Sequence, residues 1–132
     1  MTFEDILHLV ARVFLSWFFL QAGYRHLVLR KPMAEYAKSG GVPMPGTAVV
    51  VTGLMMLAGA LSILLGWHPR IGAGLIFIFL VAVSFWMHRF WSVADPMQRA
   101  NQEAHFWKNI TLAAAMLWII ARTHWPWPWA LG

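Results

Sequence analysis

Cysteine is absent from this 132-residue chain. That removes disulfides, dithiol exchange, thiolate nucleophiles and thiolate-bound metal together. Acidic side chains are nearly as scarce, with five Asp and Glu against ten Lys and Arg, and no acid stands between Glu35 and Asp95. Charged residues make up only 11% of the chain and hydrophobic ones 60%, whereas about a quarter of a soluble domain is charged. A small soluble core is thereby excluded, and the chain reads as a membrane protein. The formal charge of +5 gathers at the ends of apolar runs and forms no stripe. It marks topology, and no nucleic-acid partner is expected.

What the chain does hold is apolar sequence in four long segments, over about residues 6–29, 47–66, 71–91 and 105–122. Four spans of roughly 20 residues with short links use the whole length. The expected fold is an all-α polytopic membrane protein, one domain over residues 1–132 built as an antiparallel four-transmembrane-helix bundle. Glu4 and Asp5 stand where a signal peptide carries basic residues, so the first segment is read as a retained helix. In the second segment Ala58, Ser62 and Gly66 recur every four residues, a small-residue stripe that suits helix contact in lipid. The Trp67, His68, Pro69, Arg70 turn is short enough to force an antiparallel hairpin. The fourth segment has an uncharged core of residues 110–121 and must extend through His105, Trp107 and Lys108 to span. The link over residues 30–46 is expected to begin as an interfacial helix and end as a turn. In the tail, alternating Trp125, Pro126, Trp127, Pro128 and Trp129 suit an interfacial anchor.

Orientation follows from the cations. Arg25, Arg30, Lys31, Lys38, Arg89, Arg99 and Lys108 fall on the side of the first and third links, against Arg70 and Arg122 opposite. The positive-inside rule makes those links cytoplasmic and puts both termini outside. Near that cytoplasmic boundary lie Gln21, Tyr24, Arg25, His88, His105 and Asn109, for which two readings stand. They form an interhelical hydrogen-bond cluster, or they line a pocket where His88, Asn109 or Gln21 meets the carbonyls of a quinone-like headgroup, walled by Phe85, Trp86 and Phe106. The histidines divide between the inner boundary (His26, His88, His105) and the outer one (His8, His68, His124). None has ligand spacing on a single helix, so histidines that simply suit the interface are the expected reading and no metal site is assigned, with metal or haem ligation by imidazoles from separate helices the alternative. Arg12 lies inside the first segment with no buried acid to meet it. It either reaches toward Glu4, Asp5 or lipid phosphate, or binds an anion or an oxidised cofactor.

Taken together, several motifs resemble the DoxX family of small bacterial membrane proteins. They are Arg12 and Gly23 in the first segment, Gly41, Val42, Pro43 before the second, and the run from Leu64 to Arg70 followed by Ile71, Gly72, Ala73. The His88, Arg89, Phe90, Trp91 exit and the His105, Phe106, Trp107, Lys108, Asn109 start complete the set. The resemblance covers essentially the whole chain. It implies a four-helix bundle in the bacterial inner membrane and, for some members, a place as small subunit of a thiosulfate-to-quinone oxidoreductase or an association with redox enzymes. Many relatives resemble one another in a second-helix glutamate suited to pair with the first-helix arginine, where this chain has Met55 and Met56. The lysine that often follows the first-helix glycine is replaced by Arg25 or His26. With no metal box, flavin fingerprint or nucleophile triad of its own, the chain is expected to be an accessory and not a complete enzyme. Two functions remain open: a redox-associated subunit that binds quinone or a similar lipid-soluble acceptor, or a structural or assembly protein that docks a larger membrane complex.

Overall fold

A computed structural model describes residues 1–121 and 126–132. The first helix, α1 (Phe3–Val28), starts at a capping box in which the Thr2 hydroxyl accepts from the Asp5 N–H and the Asp5 carboxylate accepts from the Thr2 N–H. The acids that open the chain thus satisfy a helix end and its dipole. After α2 (Arg30–Ser39) comes α3 (Pro45–Leu65), with proline in its first turn and Gly66 in the left-handed conformation closing it. Then α4 (Pro69–Met87) gives way to a 3-10 turn, Phe90–Ser92, and to α5 (Pro96–Ala121). The fourth apolar helix therefore begins at Pro96 instead of His105. Asp95 explains the extension: its carboxylate accepts from the Gln98 N–H at 2.9 Å, ahead of a proline at the first helical position.

Four of these helices, α1, α3, α4 and α5, are long and apolar enough to cross a membrane, and they pack as a bundle. Helix α1 lies on α3, α3 on α4 and α4 on α5, while the backbones of α1 and α5 meet at most marginally. Phe19, Met56, Ile63, Ile76, Leu80 and Met116 fill the centre. Backbone contact is closest at glycines. A Cβ on Gly59 would lie 2.7 Å from the Gly72 carbonyl oxygen, and one on Gly23 would lie 2.8 Å from the Gly53 carbonyl oxygen. The small-residue contact is thus carried by Gly53 and Gly59. Of the expected stripe, Ser62 faces Gly72, Gly66 serves as the cap, and Ala58 is exposed. A spacing of four drifts off a face that repeats every 3.6 residues.

At the end of the bundle that holds the chain terminus, Arg12 is only 4% exposed. It does not reach toward Glu4, Asp5 or the lipid. Its Nε donates to the Ile63 carbonyl at 3.2 Å, and its terminal nitrogens donate to the carbonyls of Leu64 and Pro128. The guanidinium carbon sits 5.6 Å from the centre of the Trp127 ring. Ile63 and Leu64 belong to the last turn of α3, where carbonyls run out of intrahelical donors and the dipole is negative, so this end of α3 stands in for a counter-ion. The tail closes over the same place, with the Leu131 N–H donating to the Leu65 carbonyl at 2.9 Å. Trp127 is 9% exposed and meets His8 edge to face at 4.8 Å. It is part of the bundle's end, whereas Trp129 is exposed. Arg122, His124 and Trp125 lie outside the described residues.

Replacing Arg12 with Met should remove three charge-assisted hydrogen bonds and lower stability by about 3 kcal/mol, read as a fall in the thermal midpoint in detergent. Glu4→Gln should change stability by no more than roughly 0.5 kcal/mol. A larger loss from Glu4→Gln than from Arg12→Met would restore the acid as the arginine's partner.

Candidate functional site

At the end opposite Arg12, a cavity of about 370 Å³ opens among all five α-helices. Its wall is mostly apolar. Helix α2 covers it with Met33, Tyr36 and Ala37, spaced so that they share one face, while Arg30, Lys31 and Lys38 are exposed. The end of α2 is tied to the end of α4: the Arg89 Nη2 donates to the Gly40 carbonyl at 3.0 Å, and the Met87 thioether lies against Gly40.

The polar groups in this wall arrive by helical periodicity. On α1 the buried residues are Arg12, Ser16, Phe19 and Gly23, and the next position on that face is His26. Its Nδ1–H donates to the Ala22 carbonyl at 2.9 Å, and its ring meets Phe79 at 5.8 Å. On α5 the buried face is Phe106, Asn109, Ala113 and Met116. Asn109 is 6% exposed and lines the cavity, and its amide makes no hydrogen bond with any described residue. From α4, His88 enters at the helix terminus, where its Nδ1–H donates to the Gln102 amide oxygen at 2.8 Å. From α3, the Thr52 hydroxyl donates to the Ala48 carbonyl at 2.7 Å. Lys108 stands at the rim with its ammonium 5.6 Å above the Phe18 ring.

Of the residues expected at a site here, the structure brings His88 and Asn109 to the cavity. His105 is exposed and adjoins it through a stack on His88 at 5.2 Å. Gln21, Tyr24 and Arg25 sit on the exposed side of α1 and do not line it, because the face that buries Gly23 and turns His26 inward points them away. The aromatic wall also differs. Trp86 is present, joined by Phe18, Phe19 and Phe79, while Phe85 and Phe106 pack with Phe90 and Trp91 and fasten the elbow between α4 and α5. His26 and Thr52 were not in the expected set, although extending the Arg12, Ser16, Phe19, Gly23 face by three positions reaches His26. No three His, Asp or Glu side chains converge as a metal site among the described residues. What remains is a mostly apolar cavity with a few polar groups in its wall.

The family model described as DoxX matches residues 7–89. Inner membrane protein YphA of Escherichia coli (strain K12) is 28% identical over 114 residues, covering 86% of this chain and 81% of YphA. No solved structure gives a significant match.

An amide buried without a partner costs stability, and a same-sized apolar group does not. Asn109→Leu should therefore leave the ligand-free protein as stable or raise it by about 1 kcal/mol, measured by thermal unfolding after delipidation. A fall in midpoint would make the amide a clamp between helices.

Proposed function

The chain belongs to the DoxX family and is a multi-pass inner-membrane protein, and from that premise we propose that it is a redox-associated accessory subunit whose cavity binds a quinone or similar lipid-soluble molecule. One observation carries the reading: Asn109, a residue only 6% exposed in an apolar wall, makes no hydrogen bond through its amide with any described residue. A buried polar group is normally paired, and a ring oxygen placed beside this one would pair it. His88 lies on the same cavity and Trp86 offers a flat aromatic surface. The gap between α1 and α5 gives a hydrophobic tail a way in from the lipid. In the orientation set by the cations, the cavity lies toward the cytoplasmic side and both termini face out. Electrons would come from a partner.

Protein purified in mild detergent from its native membrane should carry isoprenoid quinone at close to one molecule per chain, detected by mass spectrometry of the extracted lipid. Asn109→Leu and His88→Ala should lower that several-fold at unchanged yield. Quinone at no more than its proportion in the bulk lipid, with recovery of a larger complex on the same chain, would favour the structural or assembly role instead.

A further inference from the structure

We propose that this cavity selects the reduced, hydroxyl-bearing ring of the quinone couple, a hydroquinone, over the oxidised quinone; the inference rests on the cavity reading above. It follows from where the wall's protons already point. Thr52 has a single hydroxyl proton, and it is committed to backbone carbonyls, with Ala48 at 2.7 Å and Val49 at 3.2 Å. A carbonyl only accepts, so towards a ligand the Thr52 oxygen can itself only accept. The same holds for His26, whose Nδ1–H is held by the Ala22 carbonyl at 2.9 Å. His88 repeats the pattern, with Nδ1 facing the Gln102 amide oxygen at 2.8 Å. A neutral imidazole protonated on Nδ1 offers only the lone pair of Nε2.

Three half-buried groups of the cavity are therefore acceptors. Asn109 both donates and accepts, so it serves either ring. The donors Tyr36, Lys108 and the indole N–H of Trp86 belong to exposed residues, and Lys108 is drawn over Phe18. A quinone brings two carbonyl oxygens and no proton, which sets acceptor against acceptor. A hydroquinone brings two O–H groups, enough to meet the Asn109 oxygen and one of these lone pairs. Leaving such a group unpaired in an apolar wall is what discriminates between otherwise similar ligands.

The test is calorimetric titration of the full chain in lipid nanodiscs, under anaerobic conditions, with decylubiquinol and with decylubiquinone. The hydroquinone should bind roughly tenfold more tightly. Thr52→Val, which removes an acceptor whose proton bonds only within its own helix, should narrow that ratio; His26→Gln, which adds a donor, should narrow it further. Asn109→Leu should weaken both ligands alike. Equal affinities, or a preference for the quinone, with both still sensitive to Asn109→Leu, would overturn the selection and leave the cavity reading standing. Failure of both ligands to bind, or binding indifferent to Asn109→Leu, would overturn the two together.

Discussion

Apolar helices gain nothing from one another by leaving water when they are already in hydrocarbon, so they hold together where their backbones come close enough for dispersion contact. In this bundle both of the closest approaches belong to α3: Gly53 against Gly23 of α1, and Gly59 against Gly72 of α4. Helix α3 therefore gathers its neighbours on either side, and α5 is held through α4. The result is tight around α3 and loose between α1 and α5. At one end Arg12 and the returning tail with Trp127 close the bundle. At the other end α2, packed on α3 and α1 and tied to the end of α4, covers the cavity.

The arginine shows how a charge is kept in such a place without an acid. The family resemblance implies a glutamate opposite it in many relatives, but here the partners are three backbone carbonyls, two of them at the negative end of α3. A guanidinium suits this task because its N–H groups fan out in a plane and reach several acceptors at once. The Pro128 carbonyl comes from the tail, so the same residue that stabilises the helix end also fixes the chain terminus upon it. At that place on α3, Met56 has a packing role, being fully buried in the core.

The spans were legible in composition alone, because a stretch of uncharged residues matched to the bilayer thickness has few other uses. The true start of α5 was not, since hydropathy reports the length in lipid and not the length of helix; the Asp95, Pro96 pair was the local sign of it. The partners of Arg12 left no trace in the sequence, because any residue has a carbonyl. The site was half legible. His88 and Asn109 stand out as polar groups at one depth, but depth does not tell which side of a helix faces inward, and so Gln21, Tyr24 and Arg25 were grouped with them. Helical phase, counted from Arg12, separates His26 from those three.

The central claim is that the half of the bundle opposite Arg12 is held open between α1 and α5, around an amide with no partner in the described chain. An electron-microscopy structure of the protein in native-lipid nanodiscs measures this most directly. It should show the backbones of α1 and α5 parted beside the Lys108–Phe18 contact, with continuous non-protein density passing between them to within hydrogen-bond distance of Asn109. Closed contact between the two helices, with the Asn109 amide bonded to another side chain, would contradict it.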